Sequence, residues 1–205
     1  LFAGLVLVST AIVSLLESGL GLPPWDVLHM GIAQHSPLTL GRAAVVLGLA
    51  MIAVAWVAGA PPGFGTIANA VVIGLAIDVM SSIDAVERLS DGSLLLRAGL
   101  VTLGVWLFGA GSALYIGAGM GAGPRDSLML ALTRRTGWRI GLVRGSIEVT
   151  VLVVGLALGG VAGVGTLVLA LLVGPSIELS FWLLLRLGLA NPRVRLSEFG
   201  PLDVG

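Results

Sequence analysis

The chain has 205 residues, of which 57% are hydrophobic and only 11% are charged, and its formal net charge is zero. Soluble domains carry about 25% charged residues, so this chain has too few charges to cover a surface that faces water. The composition therefore predicts an integral membrane protein with lipid around most of its surface. The lack of net positive charge excludes a nucleic-acid partner. The lack of cysteine excludes disulfides and thiolate chemistry.

Six apolar runs are long enough to cross a bilayer, which takes about 20 residues. They lie near residues 1–17, 38–59, 64–83, 95–118, 139–159 and 163–187. The first run begins at Leu1 without a charged segment before it, so we expect the trimmed start of a membrane helix rather than a signal peptide. A polar linker follows the third run and predicts a boundary between two halves, 1–90 and 91–190. The last residues, 191–205, are expected to form an exposed tail.

The two halves align with each other without a gap at an offset of 100 residues. A glycine-rich break, Gly-x-Gly-x-x-Pro-x-Asp, occupies residues 19–26 and recurs at residues 119–126. A Gly-Thr pair also recurs, at 65–66 and 165–166. Scattered glycines could match by chance in so apolar a chain. Pro, Asp and Gly-Thr recurring in one register indicate an internal repeat.

Each half contains three predicted spans, and an odd number places consecutive copies in opposite orientations across the membrane. The short segments 24–35 and 124–135 are each about 18 Å long as helices, too short to cross. We expect them to form re-entrant or interfacial helices. The sequence therefore predicts an all-α membrane protein of six transmembrane helices, arranged as two inverted three-helix repeats that each carry one short helix.

The arginines give an independent indication of orientation. The second break and the residues after it carry four arginines at positions where the first copy has none: Arg125, Arg134, Arg135 and Arg139. Positive charge favours the cytoplasmic side of a membrane. Residues 119–138 and the tail are therefore predicted to be cytoplasmic, and residues 18–37 external, in a bacterial inner membrane. Helix faces rich in Gly and Ala are also compatible with a homodimer.

The two breaks are the candidate binding site. Proline suits the first position of a helix, and an aspartate in the first turn complements the positive helix end. One interpretation is therefore a pair of well-capped short helices. The other is a substrate site at which broken helices face a cavity inside the membrane. The candidate substrate-binding residues are Gly21, Pro24, Trp25, Asp26, His29, Asn69, Gly121, Pro124 and Asp126.

Three of these candidates have a plainer alternative. His29 shares a helix face with Asp26, but two histidines and one aspartate are few for a metal, so no metal or other cofactor is predicted. An interfacial histidine is the alternative. Trp25 is typical of an anchor at the membrane interface. Asn69 could line a cavity or hydrogen-bond between helices.

Charged residues inside the predicted spans form a second candidate group, a charge network or gate. A charge in lipid costs about 3 kcal/mol or more, so such residues are expected to pair or to face water. Arg42 and Asp78 are predicted at one level near the external end. In the other half the candidates are Arg144, Glu148 and Glu178. Structural ion pairs that close each end are the alternative, and we favour it for Arg144 with Glu148.

The first half carries motifs that resemble a known family. They are the segments Pro24 to Gly31, Leu38 to Gly41 and Gly63 to Ala70, with Ile77-Asp78, and they continue more weakly into the second half. The chain resembles the YczE branch of the YczE/YyaS/YitT bacterial integral membrane proteins. The resemblance implies a multi-pass inner-membrane protein, without a settled activity and without catalytic residues to carry over.

We therefore expect a small transporter or channel-like permease for an unidentified small molecule or ion, with a central site between the paired short helices. The alternative is a non-transporting scaffold or regulatory membrane protein, in which the breaks are only caps and the arginines bind a partner or anionic lipid. The sequence offers no pairing of a nucleophile with a base, so an enzyme is not predicted. A polar cavity between the short helices would favour transport, and a packed centre would favour the scaffold.

Overall fold

A computed structural model of the chain describes residues 1–138 and 140–187, without the side chains of Ile140, Gly141 and Arg144. Helices account for all the regular structure in these residues, which confirms the all-helical prediction. The helices are α1 (Phe2–Ser18), α2 (Pro24–Gln34), α3 (Leu40–Val57), α4 (Phe64–Ser81), α5 (Asp84–Glu87, followed by a 3₁₀ turn), α6 (Leu94–Gly117), α7 (Pro124–Thr136), α8 (Ile140–Ala157) and α9 (Val164–Arg186).

Four of the helices are both long and apolar enough to cross a membrane: α3, α4, α6 and α9. The α1 helix and residues 145–157 of α8 are shorter apolar helices. Many large apolar side chains on these helices are exposed, such as Val57 at 82% and Leu95 at 84%. Such a surface is stable in lipid and would aggregate in water. The described residues therefore form a helical membrane protein.

The helix boundaries follow the internal repeat. The α2, α3 and α4 helices begin 100 residues before α7, α8 and α9, respectively. Pro24 and Pro124 each occupy the first turn, where their missing N–H is not needed. Ahead of each lies a pair of glycines with positive φ, which are 58° and 125° at Gly19 and Gly21 and 65° and 121° in the second copy. Only glycine takes such angles readily, so both copies turn the chain by the same means.

The two halves are joined by a matching pair of backbone hydrogen bonds. The Gly165 N–H donates to the Leu20 carbonyl at 2.7 Å, and the Gly65 N–H donates to the Met120 carbonyl at 2.8 Å. Each glycine break therefore lies against the first turn of a long helix from the other half. We call these two contacts the cross-half hydrogen bonds.

The two cross-half hydrogen bonds lie at opposite ends of the molecule, which we call the α2 end and the α7 end. At the α7 end, residues 57–66 contact residues 118–138. The contacts there are the Gly65–Met120 hydrogen bond and a second bond, in which Arg135 donates to the Val57 carbonyl at 2.8 Å. At the α2 end, residues 17–41 contact residues 158–166, and the Arg97 guanidinium donates to the Ser18 carbonyl. The α8 helix starts at the α7 end and α9 finishes there.

The centre of the fold is the contact between α1 and α6, the largest between any two described helices. The backbones approach closely where Gly4 faces Gly111, because a Cβ on either residue would lie within 2.7 Å of the other's carbonyl oxygen. The α4 helix packs on α1 and the α9 helix packs on α6. The short helices lie across the halves, α2 against α8 and α7 against α3.

Candidate functional site

The first turns of α2 and α7 face each other. The Arg125 guanidinium lies 3.6 Å from Oδ1 of Asp26 and 5.3 Å from the centre of the Trp25 ring. Trp25 and Arg125 occupy equivalent positions in the two copies of the break. A guanidinium above an indole face is a favourable cation–π contact. The two breaks thus form one site, in which the second copy supplies the positive charge and the first copy supplies its partners.

Asp26 and His29 form a buried pair beneath this contact. Asp26 has 0% and His29 2% of its surface exposed, and His29 Nδ1 lies 3.0 Å from Asp26 Oδ1. An ionised carboxylate only accepts hydrogen bonds, so the Nδ1 nitrogen is assigned as the donor. Within the described residues, Asp26 Oδ2 and His29 Nε2 are buried without a hydrogen-bond partner. Such groups normally find a partner, and because His29 also lines a cavity, its Nε2 is available to a ligand.

A cavity of about 670 Å³ lies between the two breaks, lined by residues of both halves. Its volume is within the range of ligand-binding cavities in proteins, about 300–1,000 Å³. The candidate residues that line it are Pro24, Trp25, His29, Asn69, Pro124, Asp126, Glu148 and Glu178. The two short helices therefore enclose space, and polar side chains line part of it.

The remaining candidates lie away from the cavity wall. Asp26 is covered by its neighbours. Gly21 and Gly121 are not among the lining residues, because they pack against the cross-half contacts. A Cβ at Gly21 would lie 2.6 Å from the Gly163 nitrogen, and one at Gly121 would lie 2.8 Å from Thr66 Oγ1. Close backbone approach, rather than substrate contact, accounts for these two glycines.

Two interfacial interpretations are corrected by the burial. Trp25 is 4% exposed, and its Nε1–H donates to Glu148 Oε1 at 3.2 Å instead of reaching a membrane surface. His29 is buried as well. The physical reason is that α8 and α3 pack against α2, and the Arg125 side chain of α7 lies over the Trp25 ring.

The Asp78 carboxylate closes the contact between α3 and α4 at the α2 end. Its Oδ1 accepts from the Gly41 N–H at 2.9 Å, and its Oδ2 accepts from the Thr39 hydroxyl. The ion pair expected between Arg42 and Asp78 does not form, and Arg42 is exposed. Free N–H groups at the start of α3 compete well for a carboxylate, which explains the difference. We call this contact the α3–α4 seam.

The corresponding seam between α8 and α9 is open at the described positions. Gly74 is buried against the Gly41 carbonyl, whereas Gly174 is exposed, and a Cβ added there would meet nothing within 4 Å. Asp78 is half-buried, whereas the equivalent Glu178 is exposed and lines the cavity. The cavity therefore reaches between α8 and α9, toward the α7 end. The Arg144 side chain lies outside the described residues, so its predicted pairing with Glu148 stays a prediction.

Sequence reasoning did not assign Arg125 or Tyr115 to the site. Arg125 served only as a marker of orientation, although it contacts Asp26 directly. Tyr115 lines the cavity, and its hydroxyl lies 3.4 Å from Asp126 Oδ2. A signal for Arg125 was present, because equivalent residues that lie near a two-fold axis between repeats contact each other. No comparable signal singles out Tyr115.

Comparison with known proteins gives a family. The model of a family described as "Family of unknown function (DUF6198)" matches residues 1–181. The chain is 36% identical over 186 residues to the "Uncharacterized membrane protein YczE" of Bacillus subtilis, which covers 87% of this chain and 82% of that protein. It is 35% identical over 170 residues to an "Uncharacterized protein" of Haemophilus influenzae, covering 83% and 76% of the two chains.

A more distant relative is the "Uncharacterized protein YyaS" of Bacillus subtilis, 27% identical over 172 residues, with 83% of this chain and 85% of that protein covered. No solved structure matches the chain. The name of the first relative states that it is a membrane protein, and none of the three names states an activity. Sequence relatives therefore support the membrane class and leave the function to the geometry of the site.

Proposed function

The chain belongs to the family of unknown function DUF6198, and from this premise we propose that it is a small membrane transporter or channel-like permease for a small solute. The observation that carries the proposal is the cavity of about 670 Å³ between the α2 and α7 breaks. Broken helices whose first turns face a cavity with polar groups on part of its wall are a common construction of a transport site. The solute would bind between Trp25 and Asp126, near the level where the two halves meet.

The proposed topology has six spans in two inverted three-helix repeats, within a bacterial inner membrane and with the C-terminus cytoplasmic. The α1 helix has 17 residues and α8 has 18, or about 26 Å of length each, which is near the lower limit for a span. The cross-half hydrogen bonds support inversion. The first break meets the start of α9 at the α2 end, and the second break meets the start of α4 at the α7 end.

Labelling of introduced cysteines tests this topology, and the chain has no native cysteine to give background. Ser90 and Thr136 are both exposed, at the α2 and α7 ends respectively. In intact cells, Ser90→Cys should react with a membrane-impermeant maleimide, and Thr136→Cys should react only after the membrane is permeabilised. Equal labelling of the two variants from one side of the membrane would refute the inverted topology.

The two seams suggest how transport would proceed. The α3–α4 seam is closed by Asp78 at the α2 end, which is external in the proposed topology. The α8–α9 seam is open toward the α7 end. This conformation corresponds to a transporter open to the cytoplasm. Exchange of the two arrangements, with Glu178 closing its seam and Asp78 releasing the other, would expose the same cavity to the outside.

The scaffold function is the second candidate, and the exposed Arg134 and Arg135 beside the α7 end favour it as a surface for anionic lipid or a partner. Flux separates the two. The protein is reconstituted into liposomes, and uptake of a panel of labelled small solutes is measured with Asp26→Asn and Asp126→Asn as site variants. Loss of flux in these variants supports a transport site, and unchanged flux in both counts against it.

A second experiment addresses the seams. Thr39→Cys with Asp78→Cys places two thiols at the α3–α4 seam, where a short bis-alkylating reagent can bridge them. Bridging should stop flux in a transporter that must open this seam, relative to the same variant treated with a monofunctional reagent. A channel open through both ends, or a scaffold, would be indifferent to the bridge.

A further inference from the structure

The charged groups on the cavity wall are predominantly acidic. Among the described residues that line it, Asp126, Glu148 and Glu178 carry carboxylates and Arg125 carries the only guanidinium. Arg125 is already placed beside the Asp26 carboxylate at 3.6 Å, so its charge is largely compensated within the protein. Apart from the Arg125–Asp26 pair, the described wall presents the carboxylates of Glu148 and Glu178 to the cavity.

A second and independent feature is the free nitrogen of His29. The side chain is buried and lines the cavity, and within the described residues its Nε2 has no hydrogen-bond partner. Because Nδ1 donates to Asp26, the neutral ring presents Nε2 as a bare acceptor. A ligand that carries N–H donors would satisfy this nitrogen, and a ligand that carries only acceptors would not.

The apolar part of the wall contains aromatic rings suited to a cation. Trp25, Phe108 and Tyr115 line the cavity beside the carboxylates. The Arg125 guanidinium over Trp25 is an example within this wall of the contact that an organic cation makes with an aromatic face. Aromatic rings with nearby carboxylates recognise a positive group that carries an apolar body.

We infer that the ligand of this cavity is a small protonated amine with an apolar body, bound with its ammonium group among Glu148, Glu178 and His29. The inference rests on the proposed function and names the substrate class for the same site. A cavity of about 670 Å³ accommodates an amine of drug-like size or smaller. An anionic ligand would meet the carboxylates of Glu148 and Glu178, and a neutral one would leave them without a counter-charge.

The test uses three probes of one shape: 2-phenylethylammonium, the neutral 2-phenylethanol and the anionic phenylacetate. Binding to the full chain in lipid nanodiscs is measured by calorimetry, with empty nanodiscs subtracting partition into lipid. The amine should bind at least tenfold more tightly than the alcohol, and phenylacetate should bind most weakly. Glu148→Gln keeps an acceptor for Trp25 while removing the charge, and with Glu178→Gln it should cost about tenfold in amine affinity.

The matched control is Glu87→Gln, the same substitution at an exposed residue outside the cavity, which should leave amine affinity unchanged. The inference is overturned if phenylacetate binds as tightly as the amine, if the double variant keeps the wild-type preference, or if folded protein binds none of the three. Flux is measured separately in liposomes. Amine binding without flux would support the amine ligand and refute the proposed transporter. Flux of an anion would support the transporter and refute the amine ligand.

Discussion

Asp26 and Asp126 are equivalent in the sequence repeat and differ in their surroundings, so replacing each by asparagine makes a sharp comparison. Asp26 is fully buried between His29 and Arg125, whereas Asp126 is only half-buried at the cavity wall. We expect Asp26→Asn to destabilise the protein markedly and Asp126→Asn to do so only slightly.

The magnitude follows from what Asp26 contacts. A carboxylate in the first turn of a helix contributes about 0.3–1 kcal/mol, and its hydrogen bond from His29 contributes about 1.5–3 kcal/mol, part of which the amide oxygen retains. The Arg125 side chain is 31% exposed, so loss of that ion pair costs about 1 kcal/mol or less. Easier burial of a neutral amide offsets some of the sum. We expect a net loss of about 2 kcal/mol for Asp26→Asn and about 0.5 kcal/mol for Asp126→Asn.

The free energy of unfolding is measured by titration with sodium dodecyl sulfate in mixed micelles, following helix content, with both variants and the parent in the same lipid. A difference of about 1.5 kcal/mol between the two variants is large enough to resolve. Equal destabilisation, or a greater loss for Asp126→Asn, would refute the reasoning that burial distinguishes the two copies.

Two further predictions concern the helix contacts. Gly21→Ala should reduce the free energy of unfolding by about 3 kcal/mol, because the residue has φ of 125° and its Cβ would lie 2.6 Å from a backbone nitrogen. The control is Gly99→Ala, where the site has open space, and it should be neutral or slightly stabilising in the same titration. Asp78→Ala should reduce the free energy of unfolding by about 2 kcal/mol, because it removes two hydrogen bonds to a carboxylate. Glu178→Ala should change that free energy by less than about 0.5 kcal/mol, because its side chain is exposed. Similar losses of stability for both variants would show that the two seams do not differ.

Local features of the sequence predicted the helices well. Pro24 and Pro124 mark helix starts because proline fits a first turn at no cost, and the glycines before them permit backbone angles closed to other residues. The repeat also placed the starts of α3 and α8 in one register. These signals are short-range, so a single sequence contains them in full.

The partners of the site were not predictable in the same way. Trp25 and His29 carry the pattern of interfacial residues, and only the packing of α8 and α3 against α2 reveals that they are buried. Arg42 and Asp78 are opposite charges at one depth, yet the carboxylate bonds to the backbone at the start of α3 instead. Charge and depth can be read from a sequence, whereas competition between one acceptor and several donors depends on atomic distances.

The cross-half hydrogen bonds have a consequence for how the protein is made. The Leu20 carbonyl is bonded by Gly165, so the first break cannot be completed until the last long helix has left the ribosome and entered the membrane. Until then, the helices of the first half must therefore lie in the membrane with the Leu20 carbonyl unpaired or hydrated. Neither half supplies the hydrogen-bond donor to the carbonyl of its own break, Leu20 or Met120. In the proposed inverted topology, only a second copy inserted in the opposite orientation could supply these partners to a half made alone.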